Sequence, residues 1–502
     1  MTTQTEIERK YDVDEKAALP DLTGVARVEP AGESDLEAQY FDTERGDLAA
    51  HRIVLRRRVG GSDEGWHIKL PAAEGRTELH WPLTDTEVPP RDVVDRVRSR
   101  VRGRELVVIA TLRTHRTLTR LFTDRGEPLL EVADDTVSAT DATTGVLRLW
   151  REWEVELLGG APDSEKERTA LLDIVGEKLL AAGAVPSASR SKLATALGRT
   201  DLDGGRSDAV TPGLDRSSAA EAVLLAALTG LVDDLARIDP LVRADEHDAV
   251  HQLRTRIRRL RSLFASYRTV FDRGVTDPLR DRLQEVGTAL GEARDAEVMR
   301  DRARTLLDDY QPLSSGLDER LRGGLTEQYA AAHGRAVAVL SSEAWLGLLD
   351  DLDEFVARPA IASEATEPAS EVVPPALRAD LRRVLKRAKA ARRVDSDDDR
   401  LPLLHEVRKA AKRLRYAAEA VGQGDAAVFG KRTRTLAAAA EAVHDLLGEH
   451  RDSVLMQHHL RETAGRGAAA FDHGVLHEVE RHGAALCLAD YPAALAELRS
   501  FR

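Results

Sequence analysis

Polar and apolar residues alternate with a period of two through the first part of the chain, and the rhythm becomes helical after about residue 218. The alternation predicts strands at Glu6–Val13, Ala38–Asp42, Ile53–Val59, Gly65–Leu70, Arg76–Pro82, Ala110–Phe122, Pro128–Asp135 and Leu147–Leu158. Turn signals separate them, among them Gly60-Gly61-Ser62-Asp63, Pro71 with Gly75, Asp124–Gly126 and Gly159-Gly160. Helical patterning within this part is confined to Pro90–Val101 and Asp163–Ala182, followed by Ser189–Leu197. About eight antiparallel strands with so few helices imply a sandwich or a closed barrel.

The charges within the strands bear on that choice. In Glu6-Ile7-Glu8-Arg9-Lys10, extended geometry puts Glu6, Glu8 and Lys10 on one face, with the two carboxylates about 7 Å apart. Hard divalent cations and polyanions suit such a row. Arg56 and Arg58 share a face, Lys69 lies on the next strand, and Arg76 stands beside Glu78 on the one after. Glu131 and Asp135 fall on one face, and Glu152, Glu154 and Glu156 form an acidic row opposite Trp153 and Val155. A solvated outer surface explains any single strand. Acidic rows in the first and last strands with basic rows between them are better explained by a barrel with an ionic interior.

This distributed pattern resembles the CYTH domain, or triphosphate tunnel metalloenzyme, over about residues 1–198, with Glu6-Ile7-Glu8-Arg9-Lys10 as its Glu-x-Glu-x-Lys signature. The resemblance implies an eight-stranded antiparallel tunnel that hydrolyses triphosphate-containing substrates with Mg²⁺ or Mn²⁺. It assigns Glu6, Glu8, Glu131, Asp135, Glu154 and Glu156 to the metal, and Lys10, Arg56, Arg58, Lys69, Arg76, Arg116 and Lys192 to the triphosphate. Lys10 and Glu8 are the catalytic candidates. Arg113, Arg116 and Arg120 do not all share one face, and Arg116 is the choice among them. Arginine grips phosphate bidentately and lysine acts as a point charge, so water can be the nucleophile with no covalent side-chain step.

Residues 199–217 read as a linker, and 218–502 as an all-α domain. A polar stretch at 357–375 divides it into halves, 218–356 and 376–502, that repeat each other. His251, Arg254, Arg258, Arg259 and Arg261 align with His405, Arg408, Lys412, Arg413 and Arg415, and Leu290-Gly291-Glu292-Ala293-Arg294-Asp295 aligns with Leu447-Gly448-Glu449-His450-Arg451-Asp452. Two segments matching in the same order and at nearly one spacing indicate an internal duplication. At 100° per residue His251, Arg254, Arg258 and Arg261 span an arc of about 80°, and Leu253, Ile257, Leu260 and Phe264 occupy the other face. His405, Arg408, Lys412 and Arg415 reproduce the stripe. Arg382, Lys386 and Lys389 form part of a further basic line. Like charges stacked this way repel unless an anion meets them.

The helical region resembles the CHAD domain, a histidine-bearing α-helical domain, with His251 and His405 as the matching histidines. The resemblance implies two related bundles around a basic channel for inorganic polyphosphate, with Arg294 and Arg451 added to the stripe residues. Aromatic residues are only 4% of the chain, and Tyr267 and Tyr416 are the nearest to these charges, which speaks against base stacking and nucleic acid.

The fold class expected is therefore multidomain α+β: a β tunnel or barrel followed by two duplicated helical bundles. At 502 residues, with 32% charged and a net charge of −13, general nucleic-acid binding is disfavoured, and no apolar run reaches a membrane span. The single cysteine, Cys487, suits a reducing compartment, so the expected location is the cytoplasm, in association with polyphosphate granules. The function expected is metal-dependent hydrolysis of inorganic triphosphate or polyphosphate ends, with the helices capturing longer chains. The alternatives are a non-catalytic polyphosphate-binding protein and, last, an adenylate cyclase, for which no strand announces a purine pocket.

Overall fold

The computed structural model describes the chain apart from Met1, Ala73, Arg190 and residues 201–212, 311–316, 424–426 and 465–467. The chain forms two compact units, Met1–Ala209 and Val210–Arg502. Part of the linker expected at 199–217 lies outside the described residues.

The first unit is one antiparallel sheet of ten strands among the described residues, ordered β1-β6-β5-β4-β3-β7-β8-β9-β2-β10. In chain order the strands are β1 (Thr2–Glu6), β2 (Glu8–Val13), β3 (Arg27–Asp42), β4 (Val54–Val59), β5 (Gly65–Pro71), β6 (Arg76–Trp81), β7 (Val107–Phe122), β8 (Pro128–Asp141), β9 (Leu147–Leu157) and β10 (Val185–Pro186). Ten strands replace the eight expected, and the ladder is not closed. The first predicted strand breaks at Ile7, so that β1 pairs with β6 while β2 pairs with β9. One continuous segment thus serves strands far apart in the sheet order. Most of the unforeseen strand length is in β3, which begins at Arg27 and tolerates Pro30 and Gly32 at an irregularity in its pairing with β7. A bulge accommodates the missing donor of proline, and the period-two pattern is lost there.

The apolar rows of the sheet face outward. Leu55, Trp66, Ile68 and Leu79 pack with Val93, Val97 and Val101 of α1 (Arg91–Val101). Tyr11, Val132, Trp153 and Val155 pack with Leu172, Val175 and Leu179 of α2 (Glu165–Ala181). Ala38, Tyr40, Leu112 and Val137, on the opposite face, pack with Leu193, Ala194 and Ala196 of α3 (Lys192–Ala196).

The second unit is helical: α4 (Ala220–Arg243), α5 (Ala249–Ser266), α6 (Arg273–Asp309), α7 (Leu317–Leu340), α8 (Glu343–Ala357), α9 (Ala369–Ala391), α10 (Asp397–Gly422), α11 (Lys431–Glu462) and α12 (Ala468–Arg499). One apolar core runs through α4–α11. The stretch at 357–375 is only partly a connection, because α9 already starts at Ala369 and contains Pro374 and Pro375. The two missing donors would have served Ser370 and Glu371, exposed residues whose carbonyls water can satisfy. Among the described residues no helix is long and apolar enough to cross a membrane.

Candidate functional site

Because the apolar rows face α1 and α2, the charged rows meet on the inner face. One cavity is lined by Glu6, Glu8, Lys10, Tyr40, Arg56, Arg58, Asp63, Lys69, Arg76, Arg116, Glu154, Glu156 and Lys192. These residues come from β1–β7, β9, α3 and the turn before β5, so the sheet curls around the cavity. The kink at Ile7 keeps Glu6, Glu8 and Lys10 on this face while Arg9 turns outward to Asp173 of α2 at 2.6 Å.

Two charge clusters share the cavity. In the first, Lys192 Nζ, at the start of α3, lies 2.9 Å from Asp135 Oδ2, 2.6 Å from Glu152 Oε1 and 2.6 Å from Glu154 Oε1. Ser191 caps α3 by accepting from the Ala194 amide at 3.1 Å, which fixes the lysine's starting point. Arg116 grips Asp135 through Nε at 2.8 Å and Nη2 at 2.6 Å and reaches Glu154 at 3.0 Å. Lys10 also pairs with Glu154. Burial opposes ionisation of Glu154, but Lys10, Lys192 and Arg116 hold its carboxyl well below the usual range. The trio Asp135, Glu152 and Glu154 has the donor spacing of a metal site. The lysine ammonium already sits against all three.

In the second cluster Lys69 Nζ bonds Glu6 at 2.5 Å and Arg56 reaches Glu78 at 3.3 Å. Burial, a hydrogen bond to Glu78 and its charge raise Glu6, whereas Glu78, against burial, is lowered to about 2 by Glu6, Lys69, Arg56 and Arg58. Glu156 stands across the ladder from Glu8. Burial and the charges of Glu6, Glu8 and Glu154 push Glu156 up to about 7. Glu6, Glu8 and Glu156 present carboxylate oxygens, hard donors, to the same cavity.

A carboxyl raised from 4.5 to about 7 stabilises the fold fully below pH 4.5, a contribution lost as pH climbs to about 7. A divalent cation held by these carboxylates would reverse that loss. The thermal shift given by Mg²⁺ or Mn²⁺ is therefore expected to be several degrees larger at pH 8 than at pH 6, and Glu156→Gln should flatten the difference.

Glu131 and Asp135, sequence candidates for the metal, are not lining residues of this cavity; Glu131 is bound by Arg120 at 2.7 Å, and Asp135 by Arg116 and Lys192. Arg113 points outward to Glu37 at 3.5 Å. Glu152, Glu78, Tyr40 and Asp63 were not among the sequence candidates. The acidic row signalled Glu152 and the Arg76–Glu78 face signalled Glu78, while Tyr40 and the turn residue Asp63 had no pattern.

In the helical unit α5 packs on α10. Arg259 bonds Glu419 at 2.9 Å, and the Tyr267 hydroxyl donates to the Ala417 carbonyl at 2.7 Å. The two stripes meet. Arg258 is pushed down to about 9 by burial, Arg254 and Arg408. The Lys412 amine falls to about 5 through burial and the charges of Arg258, Arg408, Arg254 and Arg415. The repeated Leu-Gly-Glu segments explain how these arginines fit: an added Cβ on Gly291 would lie 3.4 Å from Arg254, and one on Gly448 would lie 3.1 Å from Arg408. Asp295 joins the repeats, 3.7 Å from Arg254 and 3.0 Å from Arg451. Arg294 pairs with Glu297 at 2.7 Å and Arg415 with Glu419 at 2.7 Å, and Arg261 bonds Gln284. His251 and His405 stand at the exposed ends of the stripes, and Arg382, Lys386 and Lys389 lie exposed on α9, outside the buried group.

An antiparallel sheet curled around a charged interior, followed by helices that share two cationic stripes, defines a two-domain architecture of the CYTH and CHAD type. The CYTH domain model matches residues 4–181 and the CHAD domain model residues 226–461. The chain belongs to the family of proteins that join these two domains. It is 36% identical over 522 residues to "Uncharacterized protein Rv2226" of Mycobacterium tuberculosis, covering 98% of this chain and 96% of that protein. Among solved structures it is similar to PptA from Streptomyces chartreusis (TM-score 0.45, 19% identity, 55% of this chain and 99% of that one). It is also similar to the CHAD domain from Ricinus communis (TM-score 0.41, 23% identity, 58% and 94%).

Proposed function

We propose that this protein hydrolyses inorganic triphosphate, or the ends of polyphosphate, with a divalent cation, and that its helical unit holds polyphosphate. The observation that carries this reading is the single cavity in which Glu6, Glu8 and Glu156 stand with Lys10, Arg56, Arg58, Lys69 and Arg76. The CYTH and CHAD families are associated with triphosphate and polyphosphate binding. In this reading the curled sheet is an eight-stranded tunnel, with β10 and the break at Ile7 as local additions, and the α5–α6 and α10–α11 segments belong to duplicated bundles.

Mg²⁺ or Mn²⁺ would be held by Glu6, Glu8 and Glu156, and when bound would supply charge neutralisation at the phosphates and polarisation of water. Arg56, Arg58, Lys69 and Arg76 bind the phosphate oxygens, and Lys10 orients the chain of phosphates against Glu8, from which its Nζ stands 3.5 Å. No side-chain nucleophile is needed. Orthophosphate release from triphosphate by the full chain, with ATP in parallel, tests the assignment: faster turnover of triphosphate is expected, and equal or preferred use of ATP contradicts it.

A further inference from the structure

The cations of the sheet cavity are not evenly matched. Arg58 is buried, at 4% exposure, and is held below its ordinary value by burial and by Arg56 and Arg116. Its ion-pair partner is Asp63, which lies not on a strand but in the turn between β4 and β5, with its side chain 55% exposed. Glu6, Glu78, Asp135 and Glu154, which pair with other cavity cations, are all buried strand residues. The turn is fixed by its main chain rather than by this carboxylate. His67 Nε2 lies 2.9 Å from the Asp63 carbonyl, and Gly60 and Gly61 have φ of 87° and 78°. A Cβ on Gly60 would lie 2.3 Å from the Asp35 carbonyl oxygen. The carboxylate can leave while the turn stays.

We propose that Asp63 is an internal competitor for a phosphate subsite at Arg58, its carboxylate pairing with the guanidinium in the unliganded protein and yielding it when triphosphate enters. The proposal rests on the triphosphate reading and names the subsite where one phosphoryl group is gripped. A buried guanidinium facing two others needs an anion in every state of the protein. A carboxylate on a half-exposed turn supplies one at small cost to the fold and can be displaced by a phosphoryl group, which carries more charge and more acceptors. Asp63 also returns to Arg58 when product orthophosphate departs.

The test is calorimetric titration of the full chain with inorganic triphosphate, without added divalent metal. Asp63→Ala and Asp63→Asn are expected to bind roughly two- to fivefold more tightly than the wild type, the scale of one partly exposed ion pair. Asp63→Glu should restore wild-type affinity, and in an Arg58→Gln background Asp63→Ala should change nothing. A residue that merely supports the turn would weaken binding when replaced. Wild type and Asp63→Ala binding triphosphate equally well, or the variant more weakly, overturns the proposal alone. Failure of both proteins to bind triphosphate overturns the triphosphate reading together with it.

Discussion

Glu8→Gln is expected to lower metal-dependent phosphate release by at least about 100-fold while leaving polyphosphate retention unchanged. Glu8 faces Glu156 across the ladder and lies 3.5 Å from the Lys10 ammonium, so one neutral oxygen both removes a hard donor from the acidic cluster and unbalances Lys10. The fold should tolerate the change. Lys10 keeps its pairing with Glu154, and the amide preserves the shape of the side chain. Retention should persist because the cationic stripes lie on α5 and α10, in a unit with a core of its own. Orthophosphate release and filter retention of labelled polyphosphate, measured on one preparation, check both halves. Loss of both activities together would contradict two separate sites.

Charge reversal at Arg254 and Arg408 has the second large effect. Polyphosphate binding should weaken by at least tenfold, and the slope of log affinity against log salt should flatten by roughly 0.7 for each cation removed from the path, by counterion release. Burial and the charges of Arg408, Arg451 and Arg294 push the Arg254 guanidinium down against the pull of Asp295, so the stripe is short of anion in the unliganded protein. Arg408 is likewise disfavoured by burial and by Arg451. A folded double Arg254→Glu, Arg408→Glu variant that binds polyphosphate as tightly as the wild type would show that these stripes do not form the site.

Much of the site was legible because a strand's period of two is strict. Alternation put Glu6, Glu8 and Lys10 on one face and Arg56 with Arg58 on another, and the distribution of charge over the strands, with the family resemblance, turned those faces inward together with Lys69, Arg76 and Glu154. The helical stripes were legible for a similar reason, since the duplication printed the same cationic residues twice. Other features depend on tertiary geometry. The Ile7 kink leaves no mark in the pattern, because it changes the pairing partner and not the face. Glu131 shares its face with Asp135, yet Arg120 pairs with it, a matter of position along the strand that alternation does not encode. The approach of Lys192 to Asp135, Glu152 and Glu154 depends on α3 folding back onto β7 and β8, which no local signal specifies. Gly291 and Gly448 appeared only as matched letters in a repeat, and the space they leave for Arg254 and Arg408 is visible only with the helices packed.

We propose that the curled sheet is a working metal-dependent triphosphatase. The most direct measurement is orthophosphate release from inorganic triphosphate by the full-length protein with Mg²⁺, with Mn²⁺ and with chelator, alongside the Glu8→Gln variant. The account predicts turnover that requires the divalent cation and falls at least about 100-fold in Glu8→Gln. Turnover that persists in chelator would contradict the metal requirement, and no turnover with either metal by a protein that still retains polyphosphate would leave a polyphosphate-binding protein whose charged cavity serves another ligand.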